Sequence, residues 1–351
     1  MNARERFLTA LTCGVPDRVP IGDYLFSRNL LKQELNHVPK LYEADAQVRL
    51  ATKLGLDCMW IPVNGFCGTE EEWHAKGTEY QDEWGVTYIK NGWPIMAQTD
   101  TPIKSRGDWQ KYRMPLPSAP HRLKMLGEGI KSNTGAIAIV AGVLGPFTMM
   151  YWYLMDIETL SVTLYDDPDL VREMNDAYVK WVLQVCEMAA GLPGVDAFSI
   201  SDDWGSTQSL LMSPSHLREF FIPPFRQIVQ GIRKLGKPVI MHNDGKIWEV
   251  LDDLVDTGIN GFHPVERAAG MDLAKVKKRY AGRLCPIGNV DNKYTMSMGT
   301  PADIEREVQQ CMADAKQGGG YILSTDHSIH DGMPHENIMA YIEACRKYGK
   351  Y

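Results

Sequence analysis

The chain has 351 residues, 44% hydrophobic and 23% charged, with 37 Lys+Arg against 44 Asp+Glu and a formal charge of −7. The mild acidic excess, with no basic block, gives no electrostatic footing for nucleic acid or an anionic membrane surface. Small molecules and other proteins are the expected partners. The length suits two ordinary domains, or one α/β barrel enlarged by insertions.

The seven cysteines (13, 58, 67, 186, 285, 311 and 345) are an odd, scattered set without a CxxC pair or zinc-finger spacing, which fits a reduced compartment. Residues 1–7 lack the apolar core of a signal peptide, and the apolar runs fall well short of the ~20 residues that span a bilayer. A cytoplasmic protein without membrane association is expected.

In chain order, residues 17–24, 57–63 and 135–142 read as strands, followed by 195–200, 237–241, 259–262, 283–287 and 320–323. Between the later strands, 214–235, 247–257, 272–280 and 301–316 have helical character, and 334–348 closes the chain. Ser213 before Pro214, Thr300 before Pro301 and Asp272 are helix start signals, while Gly236, Gly258 and Gly282 are stops. Eight strand–helix units predict an α/β fold, a (β/α)8 barrel with an N-terminal helical extension, as one domain over 1–351. The surplus length falls at about 66–120. This stretch carries Trp73, Trp84, Trp93 and Trp109 with Tyr80, Tyr88 and Tyr112, and its alternating GVTYIKNGW predicts a β-hairpin after strand two.

A barrel of this kind places its active site at the C-terminal strand ends. The fourth strand is followed by Ser201-Asp202-Asp203-Trp204-Gly205 and the fifth by His242-Asn243-Asp244-Gly245. The sixth delivers His263-Pro264-Val265-Glu266, the seventh Gly288-Asn289-Val290-Asp291 and the eighth Ser324-Thr325-Asp326-His327-Ser328. Asp202 and Asp291 are equally suited to capping the next helix. His242 and Asp244 form a His-x-Asp pair whose side chains share one face of an extended segment, and a metal needs three or four such donors. Asp326 and His327 are adjacent and would face opposite ways, so only one is expected to share the site of His242. Glu266 reads as a further donor or general base, or as an ion-pair partner of Arg267 or a lysine. His263 reads equally as a satisfied core histidine, and Met149-Met150-Tyr151-Trp152-Tyr153 as core or pocket wall. No GxGxxG, Walker or GxSxG motif supports dinucleotide, P-loop or α/β-hydrolase chemistry.

Several dispersed stretches resemble the uroporphyrinogen decarboxylase superfamily: Arg4-Glu5-Arg6-Phe7, Pro16-Asp17-Arg18-Val19-Pro20, Gly145-Pro146-Phe147, residues 165–171, Ser201 to Gly205 with Ser213-Pro214, the His242 and Asp326-His327 regions, and the ending. Decarboxylases of that family carry an Arg-Gln-Ala-Gly-Arg segment near the N-terminus to hold substrate carboxylates. Here the matching region reads Asp23-Tyr24-Leu25-Phe26-Ser27-Arg28, which disfavours a substrate with eight carboxylates.

The chain is more similar to the corrinoid-dependent methyltransferase branch, whose thiol-methylating members bind zinc through a His-x-Cys pair after strand five and a Cys after strand eight. The matching positions are His242, Asp244 and Asp326. Carboxylates in place of thiolates leave the metal a better Lewis acid toward oxygen or nitrogen. The resemblance therefore implies a Zn2+-dependent methyltransferase that demethylates a small methylated substrate, such as an aromatic methyl ether, and passes the methyl group to cobalamin on a partner corrinoid protein. Reduced cobalt would attack the methyl carbon in line. In that reading His327 polarises or protonates the substrate, Asp203 positions it, and Glu266 is a further catalytic group or ligand. Trp204 and the 66–120 excursion supply a flat rim for the corrinoid, and a homodimer is compatible with the family. The alternatives are transfer from corrinoid to an acceptor such as tetrahydrofolate, a metal-free decarboxylase using Asp203 and His327, or a binding module whose clustered groups only cap helices.

Overall fold

The computed structural model describes residues 1–39, 42–63, 78–89, 96–134 and 137–351. Its strands are β1 (Tyr24–Phe26), β2 (Cys58–Pro62), β3 (Glu79–Gln81), β4 (Thr87–Ile89), β5 (Ala97–Asp100), β6 (Ala138–Leu144), β7 (Val195–Ser201), β8 (Val239–His242), β9 (Gly261–His263), β10 (Cys285–Pro286) and β11 (Ser328–His330). A six-stranded parallel sheet runs β10-β9-β8-β7-β6-β2, and β1 pairs in parallel with β11. Parallel bridges from Ile287 to Ile322 and from Ile21 to Leu323 continue the pairing, and the Asp57 N–H donates to Ile21 O at 2.7 Å next to β2. The result is the expected α/β (β/α)8 architecture, preceded by the helix Ala3–Leu11 and interrupted after β2 by the antiparallel sheet β3-β4-β5.

The two-residue strand period builds two cores at once. Cys58, Trp60, Ala138, Val140, Ala197, Ile240, Cys285, Ile287 and Ile322 pack together inside the barrel with Phe7, Ala10 and Leu11 of the first helix. Their strand neighbours, among them Met59, Ile61, Ile139, Phe198, Val239 and Met241, belong to the larger core shared with the outer helices. The first helix thus plugs the barrel. Gly261 makes room for it, since a Cβ there would lie 2.8 Å from Leu11 Cδ1. At the same end Asp57, fully buried, receives Arg6 Nη1 at 2.7 Å, Arg18 Nη1 at 2.8 Å and the Ile21 N–H at 2.7 Å.

The expected start signals act as caps: Ser213 Oγ accepts from His216 N, Thr300 Oγ1 from Asp303 N and an Asp272 carboxylate oxygen from Lys275 N. The helix expected over 214–235 divides instead into Pro214–His216, a π-turn Leu217–Phe221 and Ile222–Lys234. Pro223 and Pro224 withhold two N–H groups there, so the usual i to i−4 ladder cannot run through. Strands one and eight also differ. They join through a bridge between Ile21 and Leu323, with Gly22 N donating to Leu323 O at 3.0 Å, and their regular pairing comes later, at β1 and β11. Asp23 explains the shift: its carboxylate accepts from Thr325 N at 2.8 Å and Thr325 Oγ1 at 3.0 Å, replacing ladder bonds.

In the insertion, Asp82 Oδ1 accepts from Trp84 N and Val86 N at 2.9 Å each and turns β3 into β4. Trp84 is buried against Trp181, with ring centroids 4.7 Å apart, on the helix Pro168–Ala190. Phe66, Cys67, Trp73, Trp93 and residues 90–93 of the expected hairpin lie outside the described residues, as do 135–136 of the third expected strand. The six described cysteines are free. Among the described residues no helix is long and apolar enough to cross a membrane.

Candidate active site

Strand alternation decides what enters the barrel mouth. Ile240 points inward, so His242 does too, and Gly261 and Ile322 carry His263 and Ser324 inward in the same way. His242 and His263 lie directly opposite each other across β8 and β9. Their Nδ1 atoms are 2.8 Å apart, and His263 Nε2 lies 3.3 Å from Ser324 Oγ. Tyr24 closes over both rings edge-on, with centroids at 5.5 and 5.3 Å. Burial and the facing His242 push the His263 imidazole well below its ordinary range.

The outer nitrogen of His242 faces two carboxylates. Nε2 is 3.7 Å from Asp244 Oδ1 and 4.0 Å from Asp203 Oδ1. Asp203, His242 and Asp244 each offer a donor atom within 4.8 Å of the others, a mixed imidazole and carboxylate set suited to zinc or another divalent ion. Asp244 Oδ1 is buried with no hydrogen-bond partner, so one strong acceptor of the trio is left to be satisfied. The residues present therefore fit a metal. Although burial opposes ionisation, the His242 and His327 imidazoles hold Asp244 well below the usual carboxylate range, whereas burial and the charge of Asp244 push Asp203 up.

The surrounding backbone is fixed by the same side chains. Asp203 Oδ1 accepts from Asp244 N at 3.0 Å, and Glu266 Oε2 from Gly245 N at 2.6 Å. Gly245 has φ +91° and packs its Cα face onto Gly205: a Cβ there would lie 2.4 Å from Gly205 C, so the two loops carrying Asp203 and Asp244 touch backbone to backbone. His327, on the exposed side, has Nε2 3.3 Å from Asp244 Oδ2 and Nδ1 2.8 Å from Ser328 Oγ. Its partial desolvation is outweighed by the hydrogen bond and charge of that carboxylate, which raise the imidazole to about 9.

Other expected residues take different places. Asp326 is buried away from the trio. Its Oδ1 accepts from Asn292 N at 2.9 Å, and burial raises its carboxyl to about 7. Adjacent residues on an extended segment do face apart, and it is His327 that reaches Asp244. Arg267 pairs with Glu307 at 3.1 Å, while Glu266 holds the Gly245 loop. Asp291 caps the turn Asn292–Met296, accepting from Thr295 N at 3.0 Å. Asp202 Oδ1 accepts from Thr148 N at 2.7 Å and Oδ2 from Trp204 Nε1 at 2.8 Å, so it caps the helix that starts at Pro146. Trp204, expected on the rim, is fully buried against Phe225, because its indole N–H is spent on buried Asp202.

Tyr24, the His263 partnership and Ser324 were not expected at the site. The strand-end rule applied to strand one would have found Tyr24. Tyr151 packs against Phe147, with ring centroids 4.8 Å apart, and burial, with the charges of Asp203 and Asp202, raises its phenol.

Comparison with known proteins agrees with this fold. A methyltransferase from Methanosarcina mazei superimposes with a TM-score of 0.73 at 20% identity, covering 99% of both chains, and so supports the fold. The uroporphyrinogen decarboxylase of Anaeromyxobacter dehalogenans is 24% identical over 364 residues, spanning 98% of this chain and 99% of its own. That of Methylobacillus flagellatus is 28% identical over 252 residues, 66% of each chain. The uroporphyrinogen decarboxylase (URO-D) family model matches residues 85–348, three-quarters of the sequence, and the chain belongs to that family.

Proposed function

We propose that the protein is a metal-dependent methyltransferase of a corrinoid system, which demethylates a small methylated compound such as an aromatic methyl ether and delivers the methyl group to a cobalamin-binding partner protein. The observation that carries this reading is the Asp203–His242–Asp244 trio at the strand ends, with Asp244 Oδ1 buried and unpartnered. The likeness to the Methanosarcina mazei methyltransferase over 99% of the chain supports it. So does the stretch from Asp23 to Arg28, which lacks the clustered arginines a polycarboxylate would require.

In this reading Asp203, His242 and Asp244 would hold a zinc ion, which would supply Lewis acidity toward the departing oxygen. Asp326 is left out of the ligand set because Asn292 engages it. Asp244 would then have two tasks, ligating the ion while its Oδ2 anchors His327. His327 has Nε2 on Asp244 Oδ2 at 3.3 Å and Nδ1 on Ser328 Oγ at 2.8 Å, so its positive charge, rather than a free N–H, is what it would offer the leaving heteroatom. Glu266 keeps the Asp244 loop in position through the Gly245 N–H. Tyr24 covers the His242 and His263 rings edge-on.

The test is methyl transfer from a panel of methoxylated aromatics to a Co(I) corrinoid protein, followed by the cobalt absorbance, together with metal analysis. Stoichiometric zinc, loss of activity with chelator, and loss of both in His242→Ala are expected. Transfer only from methylated corrinoid to an acceptor would reverse the direction. The named relatives favour a second reading, a decarboxylase using Asp203 and His327. CO2 release from a carboxylic acid substrate, unaffected by chelator, would establish that reading and end the metal-assisted one.

A further inference from the structure

We infer that His263 and Ser324 are positioning residues that fix the tautomer of His242, so that its Nε2 presents a bare lone pair to the cation held by Asp203 and Asp244. The inference rests on the proposed metal reading and follows from strand register. β8 and β9 set His242 opposite His263, and inward alternation brings Ser324 from the eighth strand into the same layer.

Two Nδ1 atoms 2.8 Å apart share one proton, so one ring donates and the other accepts. If His263 donated, His242 would carry its proton on Nε2. That proton would point at Asp244 Oδ1 and Asp203 Oδ1 across 3.7 and 4.0 Å, too far for a hydrogen bond, and it would occupy the lone pair a metal needs. If His242 donates, every member is satisfied. His242 Nδ1–H goes to His263 Nδ1, His263 Nε2–H goes to Ser324 Oγ at 3.3 Å, and His242 Nε2 is free to ligate. The arrangement has no slack. His263 is fully buried, with Tyr24 at 5.3 Å and Trp60 at 5.9 Å between ring centroids. A ligand imidazole oriented by its second nitrogen is more basic and better aimed, and removing such a partner typically weakens metal binding by ~10–100-fold.

The experiment measures Co2+ dissociation constants by chelator competition for the wild type, His242→Ala, His263→Leu, His263→Asn and Ser324→Ala. Long-range 1H–15N spectra of the histidine rings are recorded on the zinc-loaded proteins. His263→Leu should weaken Co2+ by about 10–100-fold and expose the His242 Nδ1 proton to exchange. His263→Asn, whose amide oxygen still accepts from Nδ1, should recover most of the affinity and the signal, and Ser324→Ala should fall between. A protonated Nε2 on His242 in the loaded wild type would overturn the inference. So would wild-type affinity in both His263→Leu and Ser324→Ala; if the leucine variant does not fold, the asparagine and alanine variants alone decide. Failure of the metal reading looks different, because the wild type and His242→Ala would then bind Co2+ equally weakly.

Discussion

Replacing Asp57 by alanine tests how the barrel floor is held. The carboxylate is fully buried and receives four donors: Arg6 Nη1 at 2.7 Å, Arg18 Nη1 and Nη2 at 2.8 and 3.0 Å, and the Ile21 N–H at 2.7 Å. Arg6 keeps a second partner in Asp17, whereas the carboxylate contacts of Arg18 are those with Asp57. Removing one side of a buried charge cluster costs about 3–5 kcal/mol. With ~2.1 cal/mol/K of unfolding entropy per residue, 351 residues give about 0.7 kcal/mol/K, so the melting temperature should fall by about 4–7 °C. Asp17→Ala is the control: Asp17 pairs with Arg6 at 2.6 Å but is 44% exposed, and its loss should cost below about 1 kcal/mol. Thermal and urea unfolding, followed by circular dichroism and tryptophan fluorescence, measure both. Equal losses for the two variants, or a loss below about 1 kcal/mol for Asp57→Ala, would refute the assignment of a buried charge anchor.

Gly145→Ala should destabilise the protein by about 1–3 kcal/mol and disturb the site, because the new Cβ falls 2.2 Å from Asp202 Cγ; an unchanged urea midpoint would contradict that packing. Thr300→Ala removes a capping box and should cost about 1 kcal/mol in the same assay, with no effect on metal content. Asp23 makes a pH-dependent contribution. Burial raises its carboxyl from 3.8 to about 7, so the folded state retains a proton that the unfolded chain releases. That contribution is full below about pH 4 and lost as the pH rises through about 7, a span of ~4 kcal/mol. Asp23→Asn should therefore gain stability relative to the wild type between pH 4.5 and 7.5, measured by urea unfolding, and a constant difference would exclude the effect.

The sequence carried the features that depend on local chemistry. Short apolar runs located six of the barrel strands to within a few residues, while strands one and eight pair regularly only beyond the runs that marked them, and Ser213, Asp272 and Thr300 are caps because side-chain oxygens at those positions find local partners. Features set by contacts between distant segments were less legible. Asp326 and Asp203 are both carboxylates at strand ends, and only the engagement of one by Asn292 and the turn of the other toward Asp244 separates them. Trp204 read as a surface aromatic until the buried Asp202 claimed its N–H. His263 read equally as core or site and is both, since its meaning lies in the register of β8 against β9. The helix expected over 214–235 took no account of Pro223 and Pro224, whose effect depends on which carbonyls they leave unpaired.

The clasp between the ends of the chain has a consequence for synthesis. Asp23 and Thr325 are 302 residues apart, and Val19 N donates to Gly349 O at 2.9 Å. While a ribosome makes the chain, the first strand has no eighth strand beside it, so one edge of the growing sheet stays open until residues 323–330 emerge. An open edge is a template for foreign strands. The first helix, whose Phe7 and Leu11 share one core with residues of β2, β6, β7, β8 and β10 and with Ile322, can seat fully only once that edge has closed.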